Sequence, residues 1–367
     1  MKNPIYVPIL RARKGEFDAL NNLHQSDTIK ILPLLDIPKP KEGEGVSDHL
    51  HKVVRSIKKV WSQRPAFIDF FNWKPDALTE KGEPVLHSII RLLKGSEVSA
   101  RPVIGYDRWD DLEYRRNFAG LNSIGRFTCC LRLDEEAIDD ISDIKYFNDQ
   151  ISSILSVISI DARDVAVIID TADISKKSIT ALIPNIETVI KELKSIGFND
   201  IIIAGATMPI LITDVVKKEN SQEFLSRREM ELWQTLYPKH EGLIFGDYGV
   251  RNPRALDNIK SNNANGKIRY TLSDIRFYIS RGHSLQKHIG YKQYWDLSQS
   301  IIDSGFYKGD KFSWGDAKIS ANARHEFVGN STTWISIDTN HHICTVLQEI
   351  GEYLRVLSVR RHLDELI

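Results

Sequence analysis

Short apolar runs recur along the chain, with amphipathic segments between them. The runs are YVPIL (Tyr6 to Leu10), IKILPLLDI (Ile29 to Ile37), AFIDFF (Ala66 to Phe71), ARPVIGY (Ala100 to Tyr106), FTCCLRL (Phe127 to Leu133), VAVIID (Val165 to Asp170), DIIIAGA (Asp200 to Ala206) and GLIFGDY (Gly242 to Tyr248). Most are apolar on both faces, the pattern of parallel strands covered on both sides. The segments between them read as helices. In SDHLHKVVRSIKKVW, Leu50, Val53, Val54, Ile57 and Trp61 share one face, and Ser47 is a candidate N-cap. In IPNIETVIKELKSIG, Ile186, Val189, Ile190, Leu193 and Ile196 do the same, with Gly197 as the left-handed stop.

Eight strand–helix units over roughly 250 residues predict an α/β fold, a TIM-like (β/α)8 barrel. The alternative is an open doubly wound sheet. That fold would want a glycine-rich first turn, and RARKGE after the first strand is not one. After GDYGVRNPRA the rhythm changes. Ala255 to Tyr270 is rich in Asn and Gly, a linker signature, and a short strand-like piece and two or three helices with many aromatics follow. The expected organisation is a barrel over residues 1–254 and a mostly helical C-terminal lobe over 255–367, packed on the barrel as a cap.

Composition narrows the function classes. Of 367 residues 42% are apolar and 27% charged, so a packed globular protein is expected. Lys+Arg and Asp+Glu are equal at 49 each, so nucleic-acid binding would need a local basic patch. No apolar run reaches membrane-span length, and the N-terminus lacks a signal-peptide core, so a cytoplasmic protein without membrane contact is expected. Cys129 and Cys130 are adjacent, point to opposite faces of a strand and read as ordinary buried residues.

Three stretches carry a family resemblance: YVPILRARKGEFDAL with ILPLLDIP, GDKFSWGDAKI (Gly309 to Ile319) and GNSTTWISIDTNHHI (Gly329 to Ile343). Together they make the chain resemble the beta protein family, almost end to end. The resemblance implies membership of bacterial and phage conflict loci, a role in antiphage defence, and a partner protein from the same locus, often nuclease-like.

In barrel enzymes the reacting groups sit at the C-terminal ends of strands. Here those ends are rich in carboxylates: Asp36, Asp69, Asp107, Asp134, Asp170 and Asp247, with Arg11, Arg108, Arg132 and Arg251 among them. So many carboxylates on one rim require protonation, a divalent cation, or pairing with arginines. A catalytic reading selects Asp69, Asp170, Asp107 and Asp247. A metal reading gives Asp36, Asp69 and Asp170 to Mg²⁺ or Mn²⁺. Arg11, Arg132 and Arg251 would hold an anionic substrate such as a phosphodiester. Arg–carboxylate bridges closing the barrel top are the structural alternative.

The TNHHI segment reads as a helix start, capped by Thr339 or Asn340, with His341 and His342 in the first turn. Neighbouring helix residues diverge by about 100°, so the pair cannot chelate one metal. One His exposed and one buried is the plain expectation. The sharper one brings His341 or His342, with Trp314, Asp316, Trp334 and Asn340, over the barrel mouth to help bind substrate. Three functions follow. The first is a defence-associated barrel that recognises a nucleic acid, nucleotide or phage product and acts with an effector. The others are a metal-dependent phosphodiesterase or nuclease and a sugar-directed hydrolase.

Overall fold

The computed structural model describes residues 4–125, 127–255, 264–287 and 289–364. Eight strands run in chain order around a closed parallel barrel: β1 (Tyr6–Arg11), β2 (Leu34–Asp36), β3 (Pro65–Asp69), β4 (Ser99–Gly105), β5 (Cys129–Leu133), β6 (Val165–Asp173), β7 (Ile201–Ala206) and, after an excursion, β9 (Ile244–Asp247), which pairs back to β1. The excursion contains β8 (Ser221–Ser226). It joins β10 (Asn265–Leu272) and β11 (Arg276–Ser284) in an antiparallel sheet ordered β10-β11-β8. Strand β8 escapes the hydrophobic pattern because it is mostly exposed, leaving no alternation to read. Elements from both sides of residue 254 thus share one sheet. Most of the Asn/Gly-rich linker, residues 256–263, lies outside the described residues.

Strand alternation sorts the barrel's side chains. Val7, Ile9, Leu34, Phe67, Cys130, Ile168, Ile202 and Ala204 fill the lumen, while Tyr6, Leu10, Ile68, Cys129, Leu131, Ile169 and Ile203 pack outward against the helices. Cys129 and Cys130 therefore do face opposite ways, and both are buried free thiols. Gly246 faces inward without a side chain, because a Cβ there would lie 2.9 Å from Ile202 Cγ2 and 3.1 Å from Ala204 Cβ. Two caps differ in outcome. Gly197 ends its helix in the left-handed conformation (φ 113°) as expected. Ser47 is not an N-cap: the helix starts at Val46, and Glu80 from a distant loop accepts from the Val46 and Ser47 amides.

The C-terminal region lays three helices on this frame: Tyr294–Asp303, Trp314–Ala323 and the long Ser331–Asp364. The last begins ten residues before His341, not at Thr339 or Asn340. Asn330 is its cap, with Oδ1 accepting from the amides of Thr332 (2.9 Å) and Thr333 (3.1 Å). His341 and His342 therefore sit in the helix interior, and both are fully buried. The expected exposed histidine does not occur. Among the described residues, no helix is long and apolar enough to cross a membrane.

Candidate functional site

The top layer of the barrel follows from strand parity. Residues two beyond lumen-filling positions also point inward, which selects Arg11, Asp36, Asp69, Arg132, Asp170 and Tyr248. Arg11, Asp36 and Asp69 stand in register on β1, β2 and β3. At the centre is Arg132, buried to 2% exposure. Its Nε and Nη2 donate to Asp170 Oδ2 at 2.8 and 2.6 Å, and its Nη1 donates to Asp69 Oδ2 at 2.6 Å. Arg108 Nη2 donates to the other Asp69 oxygen at 3.3 Å. Tyr248 accepts from Arg132 at 2.5 Å and donates to Asp170. Asp170 Oδ1 accepts from the Ala172 amide at 2.9 Å. Burial opposes the charge on Arg132, but Tyr248, Asp170 and Asp69 outweigh it and hold the guanidinium charged. Of the three ways to settle a carboxylate-rich rim, Asp69 and Asp170 take arginine pairing.

Around this plug lies a narrow cavity of about 30 Å³, whose lining includes Arg11, Glu16, Asp36, Phe71, Tyr248 and Thr339. It opens into a wider funnel that adds Arg13, Lys39, Asp134 and Arg254. The segment after β9 roofs the pocket and is anchored by Asn252, whose Nδ2 donates to Asp173 Oδ2 (2.8 Å) and the Met208 carbonyl (2.9 Å). Phe71 is 38% exposed, and the Arg132 guanidinium carbon lies 4.4 Å from its ring centre. Arg11 donates to the Ala255 carbonyl. Arg251 Nε lies 3.0 Å from Glu16 Oε1. Burial raises the Glu16 carboxyl above its ordinary range, against the pull of Arg251. Asp134 is pushed up to about 6, by burial first and Asp107 second.

The predicted residues divide into two places. Arg11, Asp36, Asp69, Arg132, Asp170 and Arg251 gather at the mouth. The proposed metal set does not converge: Asp69 and Asp170 accept from arginines, while Asp36 accepts from Asn72 Nδ2 at 3.2 Å. Among the described residues, no group of three or more His, Cys, Asp or Glu is disposed to hold a metal ion. Asp107 is exposed at the edge, 3.2 Å from Arg108. Asp247 sits on the outward parity of β9 and faces away from the pocket. Its Oδ1 accepts from Tyr6 (2.6 Å) and the Gly249 amide (2.9 Å), and its Oδ2 lies 2.8 Å from His342 Nε2.

Trp314, Asp316, Trp334, Asn340, His341 and His342 form the lobe's internal framework. His342 Nδ1 lies 2.8 Å from Thr271 Oγ1, giving an Asp247–His342–Thr271 relay. Its members resemble a nucleophilic triad, but all three are essentially inaccessible. Burial lowers the His342 pKa and keeps the ring neutral, so Nε2 donates to Asp247 and Nδ1 accepts from Thr271. His341 has acceptors on both sides, Asp316 Oδ2 and the Thr271 carbonyl, each at 2.8 Å. Burial would raise Asp316, yet His341, Ser313 and Tyr270 hold it below the carboxylate range.

Gly315 lets its helix cross Ser331–Asp364 closely: a Cβ would lie 2.5 Å from the Ile337 carbonyl oxygen. Its amide donates to Asn340 Oδ1 (2.9 Å), and Asn340 Nδ2 donates to the Ala19 carbonyl (3.0 Å) beside the barrel. Trp334 stacks on Tyr294 at 4.1 Å inside the lobe, and Trp314 packs in the same cluster. The two motifs thus lock to each other and to the β1–β9 side of the barrel, and Thr339 alone of TNHHI reaches the pocket. Phe71, Tyr248 and Glu16 are the mouth residues that sequence reasoning passed over. Tyr248 was recoverable by counting inward parity from Gly246.

A family profile described as "Beta protein" matches residues 6–348. The chain is also 22% identical over 354 residues to "Protein beta" of Enterobacteria phage P4, covering 93% of this chain and 92% of the phage protein. The matched span takes in all eight barrel strands, the accessory sheet, and the motifs around Gly315 and His341, so this chain, with a phage protein among its relatives, belongs to the Beta protein family.

Proposed function

We propose that the protein is a recognition component of a phage-conflict or antiphage-defence system, whose barrel mouth binds a nucleotide-like ligand and which acts with an effector partner. One observation carries the reading. The central carboxylates are held by Arg132 and Arg108, while basic side chains and an exposed aromatic ring surround the remaining space. Paired carboxylates of this kind are poor acids, bases and metal ligands. Arginines and a lysine beside a stacking ring suit an anion that bears a planar group. The funnel's volume of about 430 Å³ suits a small ligand. The family's phage relative supports the conflict setting.

A phosphodiesterase is the second reading, and Asp134 favours it as an acid or base. A carboxyl pushed up to about 6 on the funnel wall can exchange a proton near neutral pH. Calorimetric titration with nucleoside monophosphates, repeated with Phe71→Ala, tests the recognition reading. Saturable binding that Phe71→Ala weakens supports it, and no binding by any nucleotide sinks it. Turnover of a phosphodiester, lost in Asp134→Asn, would establish the hydrolase instead.

A further inference from the structure

We infer that the mouth receives the end of a single-stranded nucleic acid whose backbone continues along a basic trough beside it. The inference rests on the ligand reading above and specifies a polymer where that reading needs only a nucleotide. The trough has a volume of about 690 Å³ and is walled by helix Lys14–Asn21, helix Val46–Trp61 and the loop after β2, with Thr332 and Ile335 of the long helix closing one side. It is continuous with the site. Glu16 and Arg251 line both the trough and the mouth pocket, and Arg13 and Lys39 line both the trough and the funnel.

The lining of the trough is basic. Seven basic and three acidic side chains line it, an excess of four positive charges on a chain whose formal net charge is zero. Lys14 is paired with Asp18 (2.9 Å) and Lys52 with Glu44 (2.7 Å), so Lys39, Lys41 and Lys59, all exposed, contribute most of the excess. A concave basic surface concentrates polyanions. Single-strand sites combine such a groove with an aromatic ring on which an unpaired base stacks. Phe71 supplies the ring at one end of the path. A base stacked on Phe71 inside the funnel must be unpaired, which selects a single strand over a duplex.

The test uses the full chain and four probes: thymidine monophosphate, a short linear oligothymidylate labelled internally, the same oligomer circularised, and a blunt duplex of the same length. The linear oligomer is expected to bind at least tenfold tighter than the mononucleotide. Its log K should fall with log salt at a slope of about −2 or steeper, as several phosphate contacts on a single strand require. Lys41→Glu combined with Lys59→Glu, both outside the mouth, should weaken the linear oligomer about tenfold or more and leave the mononucleotide unchanged. The circle should bind more weakly than the linear strand.

Oligomer binding no tighter than the mononucleotide, or unmoved by the double variant, overturns the trough while the nucleotide reading stands. A circle or a blunt duplex binding as well as the linear strand overturns the strand-end assignment. Absence of binding by every probe overturns both.

Discussion

His342 Nε2 lies 2.8 Å from Asp247 Oδ2, joining the interior of the C-terminal helix to the last barrel strand across 95 positions of sequence. This contact, not a catalytic one, accounts for that histidine. Replacing it leaves Asp247 and Thr271 each short of a buried partner. His342→Ala is expected to cost about 2–4 kcal/mol, read as a shift of the urea midpoint.

The same contact predicts acid sensitivity. Burial depresses the His342 pKa, so its contribution is complete above the unfolded value of about 6.5 and is lost as pH falls through the lower folded value. Asp247 is also depressed: burial opposes this, but His342 and Arg227 prevail, so its contribution too is lost towards acid. Melting temperature should therefore drop below about pH 6.5, and His342→Gln should flatten that limb. An unchanged acid limb in His342→Gln would remove the histidine from the account.

Arg132 bridges Asp69 and Asp170 in the barrel top, and the stability of that layer depends on it. Arg132→Met takes from two buried carboxylates their shared cation, leaving Asp69 only Arg108 and Asp170 only neutral donors, and should destabilise by about 3–5 kcal/mol, or prevent folding at neutral pH. Arg132→Met combined with Asp69→Asn and Asp170→Asn should recover part of the loss. A single variant as stable as the wild type in urea would refute the plug.

Asp134 behaves oppositely to Asp247. Its carboxyl is pushed up to about 6, so the fold favours the protonated form, and stability is lost as pH rises from its unfolded value towards 6. Asparagine keeps the side-chain oxygen that accepts from the Ala137 amide at 3.3 Å. Asp134→Asn should thus stabilise by about 1 kcal/mol at pH 7, allowing for solvent screening of a half-exposed group, with no gain at pH 4. Thermal scans at the two pH values decide it.

Gly315 explains the FSWGD motif in steric terms. Ser313 caps the helix by accepting from the Asp316 amide at 3.0 Å, Gly315 permits the close crossing, and Asp316 meets His341. Gly315→Ala must push the Ile337 backbone away and should cost about 2–3 kcal/mol. Chemical denaturation measures it, and a neutral effect would show that the crossing yields easily.

The barrel was legible in the sequence because its signal is local. Each strand is a short two-faced apolar run, each helix repeats its apolar positions at helical spacing, and parallel pairing in chain order follows from right-handed crossovers. Strand parity even fixes which rim residues point inward, and so separates Asp69 and Asp170 from Asp247. Three features had no local signal. Strand β8 is mostly exposed, and its edge is defined by hydrogen bonds to β11, far along the chain. The start of the last helix was obscured because Thr339 and Asn340 are themselves good caps, while Asn330 holds the actual start. The roles of His341 and His342 were undecidable from sequence, since a histidine's work is set by what faces each ring nitrogen. Only the packed structure brings Asp316, Thr271 and Asp247 to those nitrogens, because buried polar groups are far more stable with a hydrogen-bond partner than without one.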